Sequence, residues 1–374
     1  MESFETSRAR TPFSRRTELV ALDAVPKGAG PDAVVAAVKR VAEAASNFSW
    51  LSRGDTVFIK PAGNSGRPYP ATTSPLAVQA LVQLLREKGA ARVILGDKSG
   101  VQYVYQDDRR QRGSSRRLFT RNRLQQAALD AGAEVHYFDE AGYAAYFGDR
   151  PEHPNGHWQG ELMLPDILTR VDHVVLLPRV SRHVLAGSTL GLKTAVGWLR
   201  DDSRLELHRD AQSFREKFVE INDTATLRQK LRLVLTVAAK VQTTFGPDRG
   251  FVAEPDPGLI FASESLLAHD MTALGWLLWN RDHETPAARL NPLQDPYTSF
   301  PGAINRAFVG YIWGPGELLH SETYATGPIH SVATDPVLTW AAHLWGGFPR
   351  LELQEVKHAL PSSLNQYLMQ KVSS

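Results

Sequence analysis

Residues Val57–Gly100 read VFIKPAGNSGRPYPATTSPLAVQALVQLLREKGAARVILGDKSG. A short apolar run, Val57-Phe58-Ile59, ends in Lys60-Pro61, and a loop of Gly, Pro, Asn, Ser and Thr carries the chain to Pro75. Leu76, Val78, Leu81, Val82, Leu84 and Leu85 then recur at close to helical spacing until Gly89 stops them. A second apolar run, Val93-Ile94-Leu95, leads into Gly96-Asp97-Lys98-Ser99-Gly100. Strand, loop, helix and strand make one βαβ unit. In a parallel sheet both strands end on one edge, so Lys60 and Asp97 are expected at neighbouring strand C-termini. That edge is where open α/β sheets bind ligands.

The remaining chain extends this unit. With 374 residues, two lobes are expected: residues 1–150, holding the central βαβ unit, and residues 151–374, with C-terminal helices and a lid-like segment. The expected fold class is α/β, two-lobed, with mostly parallel sheets flanked by helices and a crevice between the lobes. Met1–Arg16 reads as a loose arm or as a segment packed across the other lobe. Leu19–Leu22 is a strand, and Val34, Val35, Val38, Val41 and Ala42 make a helical stripe. Helix is expected over Leu118–Ala131 and strand over Glu134–Phe138. Ala141–Leu164 lacks periodicity and reads as a long loop or a small strand insertion. Val171–Leu177 is a strand buried on both faces. Leu227–Ala239 suits either helix or strand, Gly258–Ala262 is a strand, and Ser263–Trp279 is an apolar helix with Asp270 in its middle. That carboxylate must be paired, anchoring a loop or facing the site. Thr285–Gly327, rich in Pro, Gly and aromatics, is too long for a plain connector and reads as a lid or interface. Asp335–Trp345 and Pro361–Val372 are further helices.

Composition narrows the chemistry. Apolar residues are 43% and charged residues 22%, and Lys+Arg 42 against Asp+Glu 40 leaves a net charge of +2, with no basic excess that would favour nucleic acid. No apolar run has transmembrane length, and no apolar stretch follows Arg15-Arg16 to make a secretory signal, so the expected location is cytoplasmic with no membrane partner. With no cysteine, disulfides, thiolate zinc sites and an iron–sulfur cluster held by the chain's own cysteines are excluded. A divalent metal stays open as a cofactor. No GxxxxGK[ST], HExxH, GxSxG or strand-following GxGxxG occurs.

The candidate site gathers at strand-end loops. In the first, Lys60, Asn64, Arg67, Thr72 and Thr73 precede a helix start, whose N–H groups favour an anion. Asp97 and Lys98 follow the next strand and suit a polar ligand or a surface ion pair. The third loop, RVSRHVLAGSTLGLK over Arg179–Lys193, brings Arg179, Arg182, His183, Ser188, Thr189 and Lys193 behind a buried strand. His183 can act as general acid or base, and Lys193 can stabilise an anion or, if desolvated, act as a base. His183, Lys193 and Asp97 are the candidate catalytic residues; Lys60, Asn64, Arg67, Thr72, Thr73, Lys98, Arg179, Arg182, Ser188 and Thr189 are the candidate substrate contacts. The arginines Arg109, Arg110, Arg112, Arg116, Arg117, Arg121 and Arg123 read as a mobile solvated loop, a phosphate clamp or a dock for an acidic carrier protein. His153 and His157, in HPNGH, have chelating spacing on a loop.

The pattern IKPxxN…ATTSPLAVQALVQLLREKGAARVILGD over Ile59–Asp97, with VDHVVLLPRVSRHVLAGSTLGLKTAVGW over Val171–Trp198, resembles the domain-of-unknown-function family 362. Ser263–Asp270 resembles that family's late aspartate helix, and His208 its histidine after the LKN segment. The chain departs from it: Arg179 and Arg182 stand for lysines, Thr194 for asparagine, Ala238 for an aspartate, and GDSPG is Gly96-Asp97-Lys98-Ser99-Gly100. Many relatives carry a ferredoxin-type iron–sulfur module that this chain lacks, so the resemblance implies a diverged activity. The βαβ unit with Arg67-Pro68-Tyr69-Pro70 is also similar to the lactate racemase family, but that family's histidine pair is missing and its nickel cofactor is not carried over.

These features lead to an enzyme, isomerase- or lyase-type, acting by proton transfer on a carboxylate- or phosphate-bearing small molecule, in specialised metabolism. The alternative is a ligand-binding or redox-enzyme accessory protein without its own iron–sulfur cluster. Nucleic-acid binding through the arginine loop ranks last, and a homo-oligomer stays open.

Overall fold

Both apolar runs of the central unit are buried because the sheet they enter is covered on both faces. The computed structural model describes residues 13–183, 185–209, 213–244, 250–289 and 331–373. Its main sheet has eight strands: β1 (Phe13–Val25), β2 (Thr56–Pro61), β3 (Arg92–Asp97), β4 (Glu134–Tyr137), β5 (His173–Leu177), β6 (Leu231–Ala238), β7 (Gly258–Ser263) and β8 (Phe348–Glu355). Their spatial order is β8-β1-β7-β6-β5-β2-β3-β4. β7 runs antiparallel to both neighbours, and every other pairing is parallel. The fold is therefore α/β, with a mostly parallel sheet flanked by helices. The sheet takes strands from both sides of residue 150.

Alternation along each strand sorts side chains to the two faces. Val57, Ile59, Val93, Leu95, Val175 and Leu177 join one core with the helices Pro31–Ala45 and Pro75–Glu87. Phe58, Ile94, Val174 and Leu176 join the other, with Trp198, Phe218 and the helix Leu266–Trp279. Both faces being buried explains why these strands read as unbroken apolar runs. Leu81 and Leu85 are fully buried, and truncating either to alanine costs about 2–5 kcal/mol. Register sets the site: Lys60 pairs with Leu176 and Pro61 with Leu177, while Ile59 pairs with Leu95. The C-terminal ends of β2, β3 and β5 thus lie side by side.

Several elements differ from the sequence expectation. β1 begins at Phe13, inside the expected arm, and residues 1–12 lie outside the described ones. The helix expected over Leu118–Ala131 is two, Ser115–Arg121 and Leu124–Asp130, broken where Arg123 takes φ 67°. Leu231–Ala238 is a strand. The aperiodic Ala141–Leu164 region contributes a hairpin, Tyr146–Asp149 with Leu162–Pro165. The expected lid lies outside the described residues from 290 onward. The arginine-rich segment is ordered into a short hairpin and the helix Ser115–Arg121, with Arg116 bidentate on Glu140 at 2.7 and 2.5 Å. No described helix is long and apolar enough to cross a membrane.

Candidate functional site

The loop after β2 is tied down by its own threonines. Ala62 N–H donates to Thr73 Oγ1 at 2.8 Å, and that hydroxyl donates to Leu177 O, stitching the ends of β2 and β5 together. Thr72 Oγ1 donates to Arg67 O at 2.9 Å and closes the loop on itself. Both threonines are buried and spend their hydroxyls on backbone.

Lys60 and Asp97 meet across the β2 and β3 ends at 2.7 Å, with both side chains buried. Lys60 Nζ also donates to Pro61 O at 3.0 Å and Thr194 O at 3.2 Å, and it lies 5.4 Å from the centre of the Trp198 ring. Burial pulls its pKa down, and Asp97 opposes that. Asp97 also accepts from Gly63 N–H at 2.9 Å and Lys98 N–H at 2.8 Å. A carboxylate so occupied orients Lys60 and shapes the loop. Gly197 permits this pair: a β-carbon there would stand 2.3 Å from Asp97 Oδ1 and 2.4 Å from Lys60 Nζ.

Lys98 forms a second buried ion pair, with Asp201 at the start of the helix Asp201–Leu207. Burial and the Arg204 charge lower its pKa to about 8. Arg204, on the same helix, donates to the carbonyls of Leu199, Ser99, Lys98 and Gly197 at 2.7–3.0 Å and clamps two segments, residues 98–99 and 197–199, around its guanidinium. One turn later, His208 Nδ1 lies 2.7 Å from Arg204 O, so that nitrogen carries a proton. Burial lowers this imidazole to about 4.

The segment after β5 forms a hairpin, Ser181–His183 with Gly187–Thr189, whose turn uses Gly187 at φ 86°. His183 Nδ1 accepts from Leu185 N–H at 3.1 Å and Ala186 N–H at 3.2 Å. Backbone donors at Nδ1 place the imidazole proton on Nε2. Burial holds His183 well below its ordinary pKa, and the Lys193 and Arg179 charges add to that. The short helix Gly191–Thr194 carries Lys193 and is capped by Asp270, which accepts from Gly191 N–H at 2.8 Å and Leu192 N–H at 2.7 Å. Behind Asp270, His269 Nδ1 lies at 2.8 Å and its Nε2 is 2.8 Å from Thr236 Oγ1. Asp270 therefore anchors the loop. Lys193 is partly buried and has no hydrogen bond or ion pair among the described residues. Burial, with Arg179 and Arg204 nearby, brings its ammonium down to about 7.

These groups surround one cavity of about 170 Å³. Of the residues picked from sequence, Lys60, Asn64, Asp97, Lys98, Arg179, His183, Thr189 and Lys193 line it. Arg67 is exposed and outside it, and Thr72 and Thr73 serve the loop. Strand alternation turns Arg182 away from His183, and its Nη1 donates to Gly187 O within the hairpin. Ser188 borders a separate small hollow beside Asp270 and Asp335. The arginines of the 109–123 segment do not line the cavity. His157 pairs with the buried Glu220 at 2.6 Å, and among the described residues no group of three His, Asp or Glu could hold a metal. Sequence reasoning missed Arg204 and Gly197 and gave His208 no role beyond a resemblance, yet all three line the cavity. The four-residue spacing of Arg204 and His208 was the available signal, since it puts both on one helix face.

Residues 57–275 match the family described as Domain of unknown function (DUF362). No curated protein matches the chain. Among solved structures, the lactate racemase apoprotein from Thermoanaerobacterium thermosaccharolyticum is 15% identical with a TM-score of 0.41, covering 61% of this chain and 51% of that one. A crystal structure of a protein from Thermotoga maritima is 13% identical with a TM-score of 0.42, covering 68% of this chain and 60% of the other. The chain thus spans about half to three fifths of the length of these two structures. The family match runs from the strand that bears Lys60 past the helix residue Asp270, and this chain belongs to the DUF362 family of unknown function.

Proposed function

We propose that this chain is an enzyme of isomerase or lyase type that binds a small carboxylate- or phosphate-bearing molecule and moves a proton on it. One observation carries the reading: Lys60, Lys98, Arg179, Lys193 and Arg204 line a cavity whose carboxylates, Asp97 and the neighbouring Asp201, are already paired with Lys60 and Lys98. That excess of positive charge favours an anion, and partial desolvation strengthens the attraction. Thr189 adds support, because its buried Oγ1 has no hydrogen-bond partner among the described residues.

The geometry favours Lys193 over His183 as the proton carrier. His183, neutral with its proton on Nε2, suits donation to a ligand oxygen and so the polarising of a carbonyl or carboxylate. Lys193 titrates near neutrality, where a general base works best. A bound anion raises the proton affinity of the amine beside it, so the base strengthens once the ligand is in place. Asp97 fixes Lys60, whose charge lines the cavity. The test is a thermal-shift panel of 2-oxo, 2-hydroxy and dicarboxylic acids and phosphate monoesters, followed by proton NMR of binders in D2O. Enzyme-dependent loss of a ligand C–H signal, abolished in Lys193→Met, is the expected result. Binding without any exchange would favour a binding protein over an enzyme.

A further inference from the structure

We propose that Lys193 is a nucleophile that forms an imine with a small 2-oxo carboxylate. The imine rests on the anion-binding reading of this cavity. The three lysines of the cavity are not equivalent. Lys60 places its ammonium against Asp97 at 2.7 Å, Pro61 O at 3.0 Å and Thr194 O at 3.2 Å, which occupies all three of its donors. Lys98 is locked to Asp201, which also accepts from Gln106 N–H at 2.6 Å. Lys193 alone of the three has no acceptor among the described residues, and the cations Arg179 and Arg204 oppose its protonation. An amine whose protonation neighbouring cations oppose holds a larger neutral fraction, whose lone pair attacks carbonyl carbon.

The surroundings suit an oxo acid. Arg179 offers a positive partner for the carboxylate, and His183 Nε2–H offers a donor for the carbonyl oxygen. The helix turn carrying Lys193 is held by Asp270 through two backbone N–H groups, so the amine presents from a fixed base. In the reaction the nitrogen lone pair bonds to the carbonyl carbon, and the C=O π pair moves to oxygen, which takes a proton. The carbinolamine then loses its nitrogen proton and its hydroxyl as water, leaving C=N. The balance is amine plus carbonyl giving imine plus water, with no oxidant or reductant. A protonated imine acidifies the adjacent C–H beyond the parent ketone, and with Lys193 committed as the imine nitrogen that proton leaves to a group other than Lys193.

The experiment incubates the full chain with glyoxylate, pyruvate or oxaloacetate and sodium cyanoborohydride at mildly alkaline pH, followed by intact-mass measurement and peptide mapping. Thermal shifts with the same acids run in parallel. A single reduced adduct on Lys193, lost in Lys193→Arg, is expected; the map of the unmodified sequence locates the adduct even if that variant misfolds. No adduct with any of the three acids, or adducts spread equally over surface lysines, overturns the imine. If the acids raise the melting temperature without an adduct, the imine fails and the anion site stands. If they neither bind nor react, the imine fails together with carboxylate binding at that site.

Discussion

Asp270 Oδ1 occupies the space a side chain at residue 191 would need: a β-carbon on Gly191 would lie 2.6 Å from it. The close approach lets the carboxylate cap the helix turn that carries Lys193, 2.8 Å from Gly191 N. Gly191→Ala should therefore separate the cap from the turn, cost about 1–3 kcal/mol by stranding buried polar groups, and lower ligand affinity. Urea denaturation and ligand titration read the two effects. Unchanged values in both would mean the turn holds itself.

Gly197→Ala places a methyl group against both members of the Lys60–Asp97 pair, at 2.4 and 2.3 Å. The expected outcome is loss of anion-induced thermal stabilisation. Gly160→Ala, where a β-carbon meets nothing within 4 Å, should leave it intact.

Asp201→Asn strips Lys98 of its buried counter-ion. Breaking one side of such a pair costs about 3–5 kcal/mol, and Lys98, already near 8, should fall further. Adding Lys98→Met removes the uncompensated charge, so the double variant should recover most of the loss. A double-mutant cycle in urea measures this.

The pH dependence follows from groups whose folded pKa values are depressed. Lys193 stands at about 7 folded against about 10.4 unfolded. Between those values the unfolded chain holds a proton that the native chain lacks, so this group adds stability as pH rises from about 7 to 10.4. Below pH 7 both states are protonated and its full destabilising effect remains. Lys193→Met should thus raise the melting temperature most below pH 7 and least near pH 10. His208, at about 4 against about 6.5 unfolded, adds stability as pH rises from about 4 to 6.5. His208→Gln should flatten that slope in melting curves.

Much of the cavity lining was readable because chemistry and periodicity coincided. Lys60 and Asp97 each close an apolar run, so a parallel βαβ reading alone puts them side by side. The same logic reached His183 and Lys193 behind Val171–Leu177. Arg182 was misplaced because single-residue alternation within a three-residue strand decides its direction, and no pattern that short is visible. Thr72 and Thr73 look identical in sequence to ligand contacts; only the carbonyls of Arg67 and Leu177 reveal their use. Arg204 was hidden because it binds backbone oxygens, which carry no sequence signature. β8 escaped because an edge strand with one buried end lacks the strong apolar run of the centre.

β1 lies between β7 and β8, so a strand formed from residues 13–25 gains its outer neighbour from residues 348–355. During synthesis from the N-terminus, β1 is made hundreds of residues before that neighbour and has an unpaired backbone edge until it arrives. Unpaired edges template intermolecular pairing, and late-completed sheets prolong that exposure. When it arrives, β8 covers that edge of β1 and becomes the sheet's edge itself, with a charged and largely exposed run over Arg350–Glu355.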